Sequence, residues 1–204
     1  MSETLTFNPE RHEYRLGDQV LPHVTQVTDS LQSYSGVSDK VMREAADRGR
    51  AVHLATQLWD EDDLDVDSLP DTVRPYLDAW IRFREETGFE PGLIEFRVHS
   101  RSFGYAGTLD RTGSFHKLRG IRPDQPALID LKATYKIMAA VGPQTAGYLH
   151  ALHETLGNKI TRRRFAVQLK PDGTYRLEEC KDPSDWSVFL SALTLTNWRA
   201  RHAA

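Results

Sequence analysis

The chain has 204 residues, of which 39% are hydrophobic and 27% charged, a balance that suits one globular domain with a sizeable core. The net charge of −3 argues against simple coating of a nucleic-acid backbone, but not against an acidic site that recruits divalent cations. The single cysteine, Cys180, excludes an internal disulfide and any cluster that needs several thiolates. No apolar run is long enough to cross a membrane and no signal-peptide pattern opens the chain, so we expect a cytoplasmic protein.

The first third of the chain predicts a hairpin and then helices. Alternating residues around a turn at Asn8 and Pro9 predict a β-hairpin over 5–21, and a short helix is expected from Pro22. Ser38 is a typical N-cap for a long helix over about 39–60. A second helix is predicted over about 71–87, after an acidic loop.

The rest of the chain alternates strands with helices. Strands are predicted at 93–98, over 105–115 as one strand or two, and at 126–133, followed by a helix over about 143–156. A second hairpin (165–169 and 174–178) surrounds a Pro-Asp-Gly turn, and a final helix follows residue 185. This order indicates an α/β domain with a central mixed β-sheet flanked by helices and an N-terminal hairpin.

The run LIDLK at 128–132 is the first candidate for chemistry. On a strand, Asp130 and Lys132 project from the same face, about 6–7 Å apart, while Ile129 and Leu131 point into a core. Asp110, on the preceding strand, adds a second carboxylate. Two carboxylates and a lysine suit a hard cation and a phosphate, although Asp130 and Lys132 alone could equally be a surface ion pair.

Other polar residues fall where they could join this group. Gly49 and His53 share a helix face, so His53 is a possible metal ligand or substrate contact, and the flanking Arg48 and Arg50 could meet phosphate or face solvent. Glu95 alternates with Arg97 on its strand and is either an acid near Asp110 or part of an ion pair across the sheet.

A further pair lies on the helix after the lysine strand. Gln144 and Tyr148 are four residues apart and so share a face, with Gly147 between them. Their amide and phenol could bond phosphate or support Lys132. The alternative is an ordinary amphipathic helix with a half-buried tyrosine.

Together these residues resemble a known superfamily. His53, the G-x-x-D sequence ending at Asp110, the D-x-K sequence ending at Lys132 and the Gln144–Tyr148 pair occur in the order and rough spacing of the PD-(D/E)XK nucleases, specifically the RecB-type branch with many phage exonucleases. The N-terminal sequences HEY at 12–14 and LPHVT at 21–25 also resemble the opening motif of phage members, with a histidine where a serine is more usual. The resemblance covers about residues 5–150.

The resemblance implies a restriction-endonuclease-like core and a site. His53, Asp110, Asp130 and the Leu131 carbonyl would bind Mg²⁺ or Mn²⁺, without an iron–sulfur cluster. Lys132 would activate water and stabilise the transition state, with Asp110, Asp130 and Glu95 as catalytic carboxylates. The predicted substrate-binding residues are Gln144, Tyr148, Arg48 and Arg50.

The resemblance also implies an organisation and a role. The prediction is one nuclease domain over 1–204, with a hairpin and short helix (1–37), a catalytic core (38–160) and a C-terminal hairpin and helix (161–204). The expected activity is a metal-dependent DNA exonuclease for phage-type recombination, repair or processing, acting on single strands or duplex ends. A single-strand annealing or binding protein is a possible partner, and no membrane is involved. The alternatives are a structure-specific endonuclease and a non-catalytic nucleic-acid-binding domain on the same fold.

Overall fold

The structure is a computed structural model that describes residues 4–32, 36–160 and 162–202. Eight strands and five α-helices occur in these ranges, in the order β1 (Leu5–Asn8), β2 (Glu13–Leu16), β3 (Gln19–Leu21), α1 (Val24–Asp29), α2 (Asp39–Asp60), α3 (Arg74–Thr87), β4 (Phe89–Ser100), β5 (Tyr105–Phe115), β6 (Pro126–Lys132), α4 (Val141–Leu156), β7 (Arg163–Leu169), β8 (Tyr175–Glu179) and α5 (Asp185–His202). A short 3-10 helix, Val66–Ser68, precedes α3. None of the helices in the described ranges is long and apolar enough to cross a membrane.

The N-terminal segment forms a small antiparallel sheet with the strand order β1-β2-β3. The side chain of Asn8 accepts hydrogen bonds from the amides of Glu10 and Arg11 at 3.0 and 3.2 Å, which closes the first turn. Tyr14 and Leu21 are buried against Ala106 of β5. The predicted N-terminal hairpin is therefore confirmed, extended by one strand and packed on the main sheet.

The main sheet has the strand order β4-β5-β6-β7-β8, in which only β6 and β7 run parallel. The parallel pair needs a crossover, which α4 provides. Helices cover both faces of the sheet. Because successive residues of a strand alternate between faces, one strand packs against helices on both sides. Ile129 and Leu131 pack with Trp80 of α3, whereas Leu128 packs with Leu152 of α4 on the other face. The predicted mixed α/β fold is thus confirmed.

The sheet opens at one end, between β5 and β6. The ladder that joins these strands runs from Ser114 and Pro126 to Arg111 and Ile129, where it stops. Beyond it, β5 continues along β4 to Tyr105, while β6 continues along β7 to Lys132. The residues after this divergence face a gap between two strands, and Asp110 and Asp130 are the first of them.

Some element boundaries differ from the predicted ones. Helix α3 begins at Arg74 rather than at 71, because Pro75 occupies its first turn, where a missing amide hydrogen costs nothing. Helix α4 begins at Val141, two residues early, and residues 105–115 form one strand. Ser38 caps α2 as predicted, its hydroxyl accepting a hydrogen bond from the Val41 amide.

Candidate active site

A cleft of about 680 Å³ lies at the divergence of β5 and β6 and reaches the N-terminal sheet, α2 and α4. Nine of the predicted site residues line it: His53, Glu95, Asp110, Asp130, Leu131, Lys132, Gln144, Tyr148 and Arg50. These residues come from five different elements, so the cleft exists only in the folded chain.

Asp130 and Lys132 form a close ion pair inside this cleft. Asp130 is only 1% exposed, and its Oδ2 lies 2.6 Å from Lys132 Nζ. Burial raises the pKa of Asp130 to about 6, with the nearby Asp110 adding to the rise and the Lys132 ammonium opposing it. Lys132 also donates a hydrogen bond to Gln144 Oε1 at 3.2 Å. The ammonium is therefore positioned by groups from both β6 and α4.

The second oxygen of Asp130 has no such partner. No hydrogen-bond donor among the described residues reaches Asp130 Oδ1, although the atom is buried. A buried, unsatisfied carboxylate oxygen is costly, and it usually indicates an unseen water or cation. This oxygen is therefore able to accept a hydrogen bond from a water or to bind a cation in the cleft.

Asp110 bridges the gap where the ladder has ended. Its Oδ2 accepts a hydrogen bond of 2.6 Å from the Leu131 amide. Since the amide and carbonyl of one strand residue point to the same side, the Leu131 carbonyl faces the same gap. Burial raises the pKa of Asp110 even though the His53 imidazolium opposes the rise.

His53 reaches the cleft from α2. Its Nδ1 lies 3.3 Å from Glu95 Oε1 and 3.6 Å from Asp110 Oδ1. Burial alone would lower the pKa of His53, but the charge of Asp110 and the hydrogen bond and charge of Glu95 outweigh it and raise the pKa to about 9. Without a metal, the imidazole is held as a cation between two carboxylates.

Glu95 adopts an unusual backbone conformation. Its φ of +42° lies in the left-handed region, which costs an L-residue of the order of 1–2 kcal/mol. The β4–β5 register shifts between Pro91 and Ile94, just before this residue. Bulges of this kind re-aim side chains next to active sites. Here Glu95 reaches both His53 and the buried Arg111, whose NH1 donates to Glu95 Oε1 at 3.0 Å.

His53, Glu95 and Asp110 could hold a metal ion, since each offers a ligand atom within 4.8 Å of the others. The two carboxylates suit a hard divalent cation such as Mg²⁺ or Mn²⁺, and the imidazole adds a nitrogen ligand that first-row transition metals accept more readily than Mg²⁺. Asp130, with its unpartnered oxygen, lines the same cleft. The donor set therefore fits a divalent metal. It differs from the predicted ligand set in two ways: it contains Glu95, which the sequence left open as an acid near Asp110 or part of an ion pair, and it does not contain Asp130.

Gln144 and Tyr148 project from one face of α4 and are both nearly buried. Burial raises the pKa of the Tyr148 hydroxyl well above its ordinary value. The ring packs against Gly107, where an added Cβ would lie 2.8 Å from Tyr148 Cε1. This contact gives the glycine of the G-x-x-D sequence a physical reason.

The arginines predicted to bind substrate differ in position. Arg50 lines the cleft and pairs with Asp47 of the same helix. Arg48 does not line it: on a helix, residue 48 shares its face with Val52 and Ala55, which pack into the core. Gly49, between them, lines the cleft, and a Cβ built there would meet no atom within 4 Å.

Sequence reasoning assigned no role to several residues that form the cleft wall. His12, Tyr14 and His23 of the N-terminal segment line it, and the rings of His12 and His23 lie 4.6 Å apart. Burial, together with His12, lowers the pKa of His23 to about 4. The Tyr14 hydroxyl lies 2.8 Å from Thr108 Oγ1. The HEY and LPHVT sequences carried this signal, but only as part of the family resemblance.

Comparisons with known proteins agree with this architecture. No protein-family model matches the chain, and no curated protein matches it. Among solved structures, the chain is similar to a protein from Eubacterium rectale named a putative exonuclease, with a TM-score of 0.50 and 14% identity. The match covers 76% of this chain and 66% of that protein, so the chain spans just under two thirds of its length. A structure named SSO0001 matches at a TM-score of 0.34 and 12% identity, covering 88% of this chain and 89% of that one.

Proposed function

We propose that this protein is a divalent-metal-dependent nuclease that hydrolyses phosphodiester bonds in DNA. One observation carries the proposal: a single cleft collects an imidazole, three carboxylates and a lysine, namely His53, Glu95, Asp110, Asp130 and Lys132. Binding of nucleic acid alone does not require such a set. Burying several carboxylates together lowers the stability of a fold, and clusters of this kind are concentrated at catalytic sites. The likeness of the fold to the Eubacterium rectale protein supports the same class.

The residues of the cleft would hold Mg²⁺ or Mn²⁺. His53, Glu95 and Asp110 offer three ligand atoms, and Asp130 and Leu131, which line the same cleft, would add a carboxylate oxygen and a carbonyl. When bound, the cation would make water a stronger nucleophile at neutral pH and stabilise charge on the phosphate. The residues must release a proton to bind it, because His53 is protonated in its absence and only neutral imidazole is a ligand.

Lys132 would act directly on the reacting phosphate. Its ammonium is held by Asp130 Oδ2 and Gln144 Oε1, so its position is set before substrate binds. A positioned positive charge in a partly buried site stabilises negative charge that develops in the transition state. Asp130 and Gln144 together hold the ammonium in place.

The finer function rests on the family resemblance together with this geometry. We propose exonuclease activity on single strands or duplex ends, with Tyr148 and Arg50 contacting the substrate strand. A role in phage-type DNA recombination, repair or processing remains a prediction from the resemblance. The same is true of a single-strand annealing or binding protein as a partner.

The direct test compares Lys132→Ala with the wild type on end-labelled linear DNA in Mg²⁺ and in Mn²⁺. Cleavage should fall by a factor on the order of 10²–10³ or more, while the circular dichroism spectrum and melting temperature change little. Lys181→Ala is the matched control, because Lys181 is an exposed lysine that also pairs with a carboxylate, that of Glu179, but does not line the cleft. Lys132→Ala cleaving at the wild-type rate would refute the proposed role.

A second comparison separates the kinds of activity. An exonuclease degrades linear DNA and leaves covalently closed circles intact, whereas an endonuclease cuts both. Excess chelator should stop cleavage in either case. Binding of DNA without cleavage in any divalent cation would favour the non-catalytic alternative.

A further inference from the structure

Tyr135 lies in the loop between β6 and α4, three residues after Lys132, and its side chain is fully exposed, at 101%. The other tyrosines in the described ranges differ: Tyr14, Tyr76, Tyr105 and Tyr148 are buried and Tyr175 is half-buried. Exposing a whole aromatic ring forgoes the burial that stabilises most aromatic side chains. The position of this ring therefore calls for a physical account.

The backbone that carries this ring is firmly held. The Gln168 side chain, itself only 4% exposed, donates from Nε2 to the carbonyls of Thr134 and Tyr135 at 2.7 and 2.8 Å. Gln168 lies on β7 directly beside Lys132 in the parallel register. The loop is thus tied to the rigid sheet at the level of the site, and the ring is presented to solvent from an ordered backbone.

The backbone of Tyr135 also lies close to the residues of the cleft. Ala133 and Thr134, between Lys132 and Tyr135, both line the cleft. Three residues span at most about 11 Å, which is roughly three steps of a nucleic-acid strand at 3.4 Å each. The exposed Lys136 follows Tyr135 directly in the sequence and adds a positive charge to this loop.

We propose that Tyr135 is a stacking platform for a base of the DNA strand within a few nucleotides of the scissile phosphate. This inference rests on the proposed nuclease function and adds a substrate contact to it. An exposed aromatic ring on a loop that also carries an exposed lysine suits single-stranded nucleic acid, because every base has a face that stacks and the backbone is anionic. Tyrosine offers this contact area at low entropic cost, since it has few rotatable bonds and here its backbone is already held.

The test measures cleavage of a labelled single-stranded oligonucleotide by the wild type, Tyr135→Ala and Tyr135→Phe. Tyr135→Ala should lower kcat/KM roughly 5- to 100-fold, mainly through KM, because stacking binds substrate without touching the reacting atoms. Tyr135→Phe keeps the ring and should stay within about twofold of the wild type. Trp198→Ala is the matched control, since Trp198 is an exposed aromatic residue (52%) outside the cleft.

A series of substrates with one abasic site, moved stepwise along the strand, locates the stacked base. At one position near the scissile phosphate, the abasic site should lower kcat/KM of the wild type by the same factor as the Tyr135→Ala substitution does on the intact strand. The abasic site at that position should not lower kcat/KM of Tyr135→Ala any further. Equal losses for both proteins at every position would overturn the proposal, as would Tyr135→Ala matching Trp198→Ala. If the wild type cleaves DNA in these assays, such results remove only the stacking role. A wild type that cleaves no DNA refutes the nuclease function and the stacking role together.

Discussion

The carboxylate of Asp110 and the amide of Leu131 are joined by a 2.6 Å hydrogen bond across the gap between β5 and β6. This bond continues the contact between the two strands one step past the end of their ladder at Arg111 and Ile129. A side chain thus replaces a backbone carbonyl, which leaves the second Asp110 oxygen and the Leu131 carbonyl facing the cleft. The site therefore lies where the backbone hydrogen bonds between β5 and β6 end.

Replacing Gly107 with alanine should damage the cleft through Tyr148. The added Cβ would lie 2.8 Å from Tyr148 Cε1 and 3.2 Å from Val24 Cγ2, and overpacking of this kind costs about 1–3 kcal/mol. We expect a lower melting temperature and weaker nuclease activity. Tyr148→Leu removes the edge of the ring that the new methyl group would meet. The double variant Gly107→Ala/Tyr148→Leu should therefore lose less stability than the sum of the losses of the two single variants. Strict additivity would show that the ring contact is not the cause.

Gly49→Ala should have opposite effects on stability and activity. A Cβ there meets nothing within 4 Å, so alanine should stabilise α2 by about 0.5–1 kcal/mol, measurable by urea unfolding. Because Gly49 lines the cleft, the methyl group should slow cleavage if DNA passes close to the helix. Unchanged cleavage in the stabilised variant would place the strand elsewhere.

Asp130→Asn should stabilise the metal-free protein while abolishing cleavage. Burial raises the pKa of Asp130 from 3.8 to about 6, so the stability that its neutral form contributes is present below about pH 4 and is lost as the pH rises through 6. An amide does not ionise, so the advantage of the variant should grow over this interval to about 1–3 kcal/mol. Thermal unfolding in chelator at pH 5 and pH 8 measures it. A variant less stable than the wild type at pH 8 would contradict this reasoning.

His53 should titrate near pH 9 in the metal-free protein. Burial opposes protonation, but Asp110 and Glu95 outweigh it, so the ion pairs of His53 stabilise the fold below pH 6.5 and their contribution is lost as the pH rises through 9. Nuclear magnetic resonance of the imidazole in chelator gives the pKa directly.

Added Mg²⁺ should remove the His53 proton at pH 7.5, because only neutral imidazole is a ligand. Proton release on binding can be measured by calorimetry in buffers of different ionisation enthalpy. A histidine that titrates near 6.5 and ignores Mg²⁺ would exclude His53 from the metal site.

Local periodicity made part of the site predictable. The same-face placement of Asp130 and Lys132 follows from the two-residue repeat of a strand, and that of Gln144 and Tyr148 follows from the helical repeat. The contact of Lys132 with Asp130 on the same strand is of this kind, whereas its contact with Gln144 joins β6 to α4 and does not follow from either repeat. The order of helices and strands, and with it the fold class, could be predicted for the same reason.

Other features depend on contacts between elements that no local pattern encodes. Glu95 joins His53 because a register shift and a left-handed backbone turn its side chain, whereas strand alternation alone left its role open. Arg48 and Arg50 look equivalent in sequence, but only Arg50 lines the cleft, because α2 buries the face that carries Arg48.

The sequence by itself determined which chemical groups are available and on which face of each strand or helix they stand. Only the tertiary structure decided that β5 and β6 separate after Arg111 and Ile129, that the N-terminal sheet walls the cleft and that Asp130 Oδ1 is left without a donor. The reason is physical. The repeat of one helix or strand follows from residues that are near in sequence, whereas the cleft forms where the pairing of two strands ends, which depends on residues that are distant in sequence.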